Sequence, residues 1–355
     1  MTDERGTTEL MSDADAPAQP PSGEPTALSP TLLEDLRRLL GAWLAHEPGA
    51  RSGTDPEELH QLRVTARRLD ASLGLFKQQL PPPLSRARRT AKSMLRALGA
   101  TRDLDVQIAG LAAWSAKLSD EERAALAPLQ ALLAQQRSRA QARMVRVLDS
   151  ALARRWIETL VDVSTRGTAL GNGTADESAA LVSQRIRRRF RRLRKAVGRL
   201  GARSSMDDYH RVRRRAKQLR YALECGAGLC GGAAQDTLRA LRRMQDRLGV
   251  QHDAFVANER LNLLAADSSS GLPAATLFIM GRLAESHQRI TTAARRTVTK
   301  SWRRVRRRWK VLRQRLAELA STSAAPAGVL AAMPAAASGG ANGAGPPREG
   351  HSFGH

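Results

Sequence analysis

The chain has 355 residues and a net charge of +24, because 58 lysines and arginines, 51 of them arginine, outnumber 34 acidic residues. Aromatic residues make up only 3% of the chain, whereas alanine, leucine and arginine are abundant, which argues against an all-β or a doubly wound α/β fold. Two cysteines exclude a disulfide framework and a four-thiolate zinc site, and no apolar run approaches the length of a membrane span.

The two ends of the chain differ in composition from its middle. Residues 1–28 are acidic and rich in Pro, Ser, Gly and Thr, and residues 321–355 are mainly Ala, Gly, Ser and Pro. Neither end can bury enough apolar surface to fold, so we expect two disordered tails. The N-terminus shows no leader pattern, and we therefore expect a soluble, cytoplasmic protein.

The positive charge is concentrated between the tails. Because the first thirty residues carry a net charge of −5, residues 31–320 carry about +29. That much like charge repels itself, and a polyanionic partner would relieve the repulsion. The alternative explanation is an arginine-rich bias of base composition.

Between the tails almost every segment has helical periodicity with breakers at its ends, which predicts an all-α fold. The predicted helices span 31–46, 56–80, 84–99, 103–117 and 120–157, and then 177–200, 207–229, 234–249, 252–266 and 275–319. A linker at 167–176, which contains Gly171-Asn172-Gly173, divides them into one unit at 29–166 and a second at 177–320.

The two halves align without gaps at an offset of 150 residues. Eleven of the 47 positions from His60 to Val106 are identical to those from His210 to Val256, against roughly four expected by chance in so biased a composition. The repeat predicts two similar helical bundles related by an approximate twofold axis.

The repeated positions form a basic stripe on one helix of each half. In the first half Leu62, Leu69 and Leu73 share the core face of the helix, and the cations lie outside that face. The stripes comprise His60, Arg63 and Arg67, and in the second half His210, Arg213, Arg214, Lys217, Arg220 and Tyr221. A solvated charged face is the alternative, but such faces usually intersperse acids at i,i+4, and Asp70 is the only acid on the first stripe.

The helix that follows each stripe adds a second basic row. Arg89 and Lys92 in the first half recur as Arg239 and Arg242 in the second. If the two rows converge they line a basic groove or channel, where the rigid donor fork of arginine suits phosphate oxygens.

A repeated Leu-Gly segment with an aspartate four residues after the glycine follows the second row. Asp103 and Asp253 are predicted first as helix N-caps, and alternatively as residues that orient an arginine of the groove. Arg102 and His252 immediately precede them and could belong to the groove or to a turn.

At these motifs the chain resembles the CHAD family, the conserved histidine α-helical domain, over roughly residues 30–315. The resemblance rests on LHQLRVTARRLDASLGLF at 59–76, LGATRDLDV at 98–106, YHRVRRRAKQLRYALE at 209–224 and MQDRLGVQHDAFVA at 244–257. It implies two four-helix-bundle-like units around a basic channel, binding of inorganic polyphosphate by the two basic rows of each half, and association with polyphosphate granules. Asp70 departs from the family pattern at the position of Arg220, and the E-x-E-x-K strand of a triphosphate-tunnel domain is not found in the sequence.

Two other functions are weighed against polyphosphate binding. Weak binding to nucleic-acid backbones is compatible with the charge, although single-strand binders use aromatic platforms that are scarce here, and Trp302 and Trp309 are predicted as core residues. A phosphoanhydride-processing enzyme would need clustered carboxylates for metal ions, which the sequence does not show. Cys225 and Cys230 are predicted as inert thiols, and we expect no cofactor, no metal and no catalysis.

Overall fold

The computed structural model describes residues 30–166, 175–201, 203–267 and 270–322. Within these ranges the regular secondary structure is helical, which confirms the all-α prediction. The helices are α1 (Pro30–Ser52), α2 (Pro56–Leu75), α3 (Pro82–Ser115), α4 (Asp120–Leu148), α5 (Ala151–Arg166), α6 (Ala175–Gly198), α7 (Met206–Cys225), α8 (Ala227–Ala266) and α9 (Ala274–Thr322). The predicted tails, apart from residues 321 and 322, and most of the predicted linker lie outside the described residues.

Local signals in the sequence set several helix starts. The Asp55 side chain accepts a hydrogen bond from the Glu57 backbone N–H at the start of α2, and Pro56 occupies the first helical position. Ser119 and Ser205 begin α4 and α7 with reciprocal capping boxes. Because the basic stripes lie on α2 and α7, the caps at Asp55 and Ser205 define where the stripes begin.

Two predicted breaks are wrong, because α3 and α8 run through Gly99 and Gly249. The segments 84–99 and 103–117 form one helix, and so do 234–249 and 252–266. An interior glycine costs a helix only about 1 kcal/mol. The burial of Leu98 beside Gly99 and of Leu248 beside Gly249 compensates for that cost. The break in α8 lies earlier, at Gly231, whose φ of 59° interrupts the helix.

The long helix predicted at 120–157 is instead divided into α4 and α5. Asp149 and Ser150 separate them, and the Ser150 hydroxyl accepts a hydrogen bond from the Ala153 backbone N–H at 3.2 Å. Serine and aspartate favour helix ends because their side chains bond to nearby backbone groups. That local signal outweighs the helical periodicity on both sides.

The buried side chains form two clusters, and each draws on both halves of the chain. The larger cluster includes residues of α1, α2, α5, α6 and α7, the first parts of α3 and α8, and the last part of α9. The smaller cluster lies among the second part of α3, α4, the second part of α8 and the first part of α9. The long helices α3 and α8 therefore connect the two cores, and the twofold relation between the halves stays a prediction.

Candidate functional site

The helices with the repeated histidines, α2 and α7, pack against each other. Their apolar faces are fully buried, with Leu62, Leu69, Val212 and Leu219 each at 0% exposure. The cations of both stripes are consequently excluded from the core and lie together around the α2–α7 contact. The structure thus brings the first basic row of the two halves into one place.

The same ion pair occurs twice, 150 residues apart. Arg63 Nη2 lies 3.5 Å from Asp103 Oδ1, and Arg213 Nη2 lies 3.8 Å from Asp253 Oδ1. Both aspartates stand inside continuous helices, so the prediction that they are N-caps is wrong. They pair with an arginine of the basic stripe, which was the alternative interpretation.

Gly99 makes room for one of these arginines. A Cβ atom added at Gly99 would overlap Nη1 of Arg63, whereas a Cβ added at Gly249 would have no neighbour within 4 Å. The first glycine of the repeated Leu-Gly segment is therefore explained by the close approach of Arg63 to the α3 backbone. It is not explained by a turn.

The clustered cations repel one another. Burial, followed by the charges of Arg67 and Arg213, lowers the pKa of Lys217 to about 6. Burial and then Arg67 lower the pKa of Arg63 to about 10, although Asp103 acts in the opposite direction. The aspartates of the cluster do not compensate for its positive charge, and a bound anion would do so.

The pKa values of the histidines in this region are lowered, which favours their neutral form. Burial is the largest cause that lowers the pKa of His60 and of His210, and neighbouring arginines lower both further. The His252 ring centroid lies 4.9 Å from that of His210, and burial and Arg213 lower the pKa of His252 to about 3. Neutral imidazoles can donate a hydrogen bond to an anion, and an anion beside them would favour protonation.

A basic cavity of about 490 Å³ opens beside these groups. Its described lining comes from α2, α3, α6 and α7. The charged and histidine residues of that lining are Arg67, Asp70, Arg88, Arg189, Arg192, His210, Arg213, Arg214, Arg215 and Lys217, and Tyr221 also contributes. Seven arginines and Lys217 thus face one carboxylate among the described residues, and that carboxylate, Asp70, is paired with Arg88 Nε at 3.1 Å.

Four of the arginines that line the cavity were not predicted: Arg88, Arg189, Arg192 and Arg215. Arg189 donates from Nη1 to the Gln218 backbone carbonyl at 3.1 Å, and burial lowers its pKa to about 10. The core positions Ile186, Phe190 and Leu193 place α6 against its neighbours. The run of arginines around them was visible in the sequence, but its partner helix was not.

The second basic row does not line the cavity. Arg89, Lys92, Arg239 and Arg242 are all exposed, and Arg239 pairs with Asp236 on its own helix. None of these four residues belongs to the described lining, so the two rows do not converge at this cavity. Arg242 instead pairs with Glu224, which Arg220 of the first row also contacts.

Arg220 and Tyr221 are adjacent in sequence but have different surroundings. Tyr221 is buried and lines the cavity. The Arg220 guanidinium lies 4.8 Å from the Tyr221 ring centroid and pairs with Glu224, away from the lining. Arg220 therefore holds the tyrosine ring and faces a carboxylate.

The remaining candidates from the sequence have structural roles. Trp302 and Trp309 are buried, and the Trp309 ring stacks on Phe190 with 3.8 Å between ring centroids, which confirms the prediction that they are core residues. Burial raises the pKa of Cys225 to about 12 and that of Cys230 to about 11, as expected of unreactive thiols. Within the described ranges no helix is long and apolar enough to cross a membrane, and no group of three potential metal ligands occurs.

Comparison with known proteins relates this geometry to a family. A family model described as CHAD domain matches residues 34–262. The crystal structure of the CHAD domain from the plant Ricinus communis is 28% identical, with a TM-score of 0.64 over 82% of this chain and 96% of that chain. PptA from Streptomyces chartreusis is 20% identical, with a TM-score of 0.59 over 77% of this chain and 98% of that chain, and is similar in fold. None of the curated proteins matches the sequence.

Proposed function

Because the chain belongs to the CHAD domain family, we propose that it binds inorganic polyphosphate in the basic cavity between α2, α3, α6 and α7. The observation that carries this proposal is the excess of basic side chains in the described cavity lining, where seven arginines and Lys217 face the single paired carboxylate of Asp70. Guanidinium groups hold phosphate oxygens in a bidentate manner. Tyr221 is the one aromatic residue in the described lining, so contacts to phosphates would dominate over base stacking.

The proposed role is binding without cleavage. Metal-assisted phosphoryl transfer uses carboxylates that hold cations beside the reacting phosphate, and Asp70 is already tied to Arg88. A protein of this kind would hold polyphosphate chains and accumulate on polyphosphate granules. Incubation of purified protein with polyphosphate and Mg²⁺ should release no phosphate, and steady release would contradict a binding role.

Six arginine and lysine positions offer a matched test of where the anion binds. One triple variant removes exposed or partly exposed cations of the cavity: Arg67→Gln, Arg192→Gln and Arg214→Gln. The control triple removes the same charge from the outer row: Arg89→Gln, Lys92→Gln and Arg239→Gln. Arg63 and Arg213 are less suitable because both are only 17% exposed and paired with aspartates.

Long-chain polyphosphate titrated into the three proteins should distinguish a site from general attraction. A charge-assisted contact contributes about 1.5–3 kcal/mol, so we expect the cavity triple, which loses three such contacts, to bind on the order of a thousandfold more weakly or worse. The control triple should stay within a few-fold of the wild type, and both should keep wild-type circular dichroism. Equal losses in the two triples would show that net charge, and no particular cavity, governs binding.

Nucleic acid is the second candidate partner, and the outer faces of α6 and α9 favour it. These two helices pack together and expose many arginines and lysines. Exposed cations on them include Arg188, Arg191, Arg194, Lys195, Arg303, Arg306, Arg307 and Arg313. Such a surface can contact a phosphate backbone without reading bases. Competition at physiological salt should show polyphosphate displacing DNA, and the reverse order would favour the nucleic-acid function.

A further inference from the structure

A second cluster of arginines surrounds a carboxylate near the end of α7. Arg68 Nε lies 3.2 Å from Glu224 Oε2. Arg220 Nε and Arg242 Nη2 lie 3.5 Å and 3.4 Å from the other carboxylate oxygen, Oε1. The Glu224 side chain is only 12% exposed, so the carboxylate is held among guanidinium groups from α2, α7 and α8. None of these four residues lines the basic cavity.

The repeat relates this cluster to the basic cavity. The offset of 150 residues places Glu224 at the position of Gly74 and Arg220 at the position of Asp70. Gly74 and Asp70 line the basic cavity. At Gly74 the first half has no side chain and the cavity is open. At the equivalent position the second half has the Glu224 carboxylate, which three arginines contact.

We infer that Glu224 is an internal counter-anion that occupies a second phosphate site, so that polyphosphate binds at the Gly74 side and not at the Glu224 side. This inference rests on the proposed function. A carboxylate and a phosphate offer similar acceptor geometry to guanidinium groups. An incoming phosphate must displace the Glu224 carboxylate, which is part of the chain and therefore cannot diffuse away.

Neighbouring acids strengthen the closure of the second site. Glu34 and Asp35 line, with Glu224, a cavity of about 260 Å³ between α1, α7 and the start of α8. Asp35 accepts hydrogen bonds from Ser72 and Arg38. Three carboxylates thus face this smaller cavity, whereas the larger one has only Asp70, and the difference directs a polyanion to the larger cavity.

Removal of the Glu224 carboxylate should open the second site. The variants are Glu224→Ala and Glu224→Gln, and the second keeps a polar side chain of the same length in case the first folds poorly. The probe is inorganic tripolyphosphate, and its binding is measured by isothermal titration calorimetry. We expect the wild type to bind one equivalent of tripolyphosphate and the variants to bind a second equivalent at the freed arginines. In a separate titration, the variants should bind long-chain polyphosphate about tenfold more tightly than the wild type does.

The converse change at Gly74 should close the first site. A Cβ added at Gly74 would lie 2.9 Å from Nη2 of Arg88, the end of a flexible side chain. Gly74→Glu would therefore place a carboxylate beside the Arg88 guanidinium, and we expect polyphosphate binding about tenfold weaker or worse. Gly74→Ala is the matched control, because it brings the same backbone change without the charge.

The double variant with Gly74→Glu and Glu224→Ala moves the carboxylate from one half to the other. Binding close to that of the wild type would support two equivalent sites with one occupied internally. If the wild type binds polyphosphate but both Glu224 variants bind with unchanged stoichiometry and affinity, the inference about Glu224 is overturned and the proposed function stands. If the wild type binds no polyphosphate, the proposed function itself fails.

Discussion

Lys217 should take up a proton when polyphosphate binds. Burial is the largest cause that lowers the pKa of its ammonium group to about 6, and repulsion by Arg67 and Arg63 on α2 and by Arg213 and Arg220 on α7 adds to it. At pH 8, two units above that value, roughly one Lys217 in a hundred is charged in the free protein. A bound phosphate reverses the balance, because an opposite charge nearby favours the protonated form.

The size of the effect follows from that pKa. A single opposite charge at about 4–6 Å raises the pKa of a cation by about 1–3 units, and two phosphates in the cavity would act together. A bound pKa near 9 or above then corresponds to an uptake of about 0.9 proton per protein at pH 8. Since the complex holds more protons than the free protein, affinity should rise as pH falls from 9 towards 6.

Calorimetry in buffers of different ionisation enthalpy measures this uptake directly. The slope of the apparent binding enthalpy against the buffer enthalpy gives the number of protons gained. Lys217→Arg is the matched control, because its guanidinium stays charged and should reduce the slope at pH 8 to near zero while binding persists. A wild-type slope of zero, or the same slope in the Lys217→Arg variant, would refute the reasoning from the repelling cations.

Further predictions concern the glycines and the core. Gly99→Ala should displace Arg63 from Asp103 and weaken polyphosphate binding. Gly249→Ala, with nothing near the added Cβ, should keep binding and stabilise α8 by up to about 1 kcal/mol. Titration and thermal melting check both variants, and equal binding by the two would contradict the role of Gly99. Trp309→Ala removes the stack on Phe190 and should lower the free energy of unfolding by about 3–5 kcal/mol, measured by urea denaturation, while a loss below 1 kcal/mol would contradict its core role.

The basic stripes could be predicted because they follow from one-dimensional periodicity. Leucines at helical spacing define the buried face of α2, and the cations between them must point elsewhere. The same rule applies to α7, and the structure buries Leu69 and Leu219 fully, as expected. Helix faces are thus a local property of the sequence.

The helix ends were harder to predict because competing local terms are small. A glycine in a helix costs about 1 kcal/mol, which the packing of Leu98 or Leu248 outweighs. At Asp149 and Ser150 the balance is reversed, since a side-chain cap is present and, besides the α3 contact that they share, α4 packs on α9 and α5 packs on α1. Such balances depend on tertiary contacts that the sequence pattern does not specify.

The composition of the cavity was unpredictable for a related reason. Arg189 and Arg192 belong to α6, more than 100 residues from Arg67 in sequence, and only the packing of the helices places them beside one cavity. Arg89 and Arg239 have the spacing expected of a second row, but the rotation of α3 and α8 in the bundle exposes them. Spacing predicts which residues share a face, and only the fold decides what that face meets.

The repulsion within the cavity explains how a stable fold and a strong anion site coexist. Unpaired cations that are partly buried cost free energy, and here the cost is limited because Lys217 is largely neutral and because Asp103 and Asp253 each hold one arginine. The leucine-rich core on the other face of α2 and α7 supplies the compensating burial. Binding of a polyanion removes the repulsion and charges the lysine, so the same groups that destabilise the free protein contribute to its affinity.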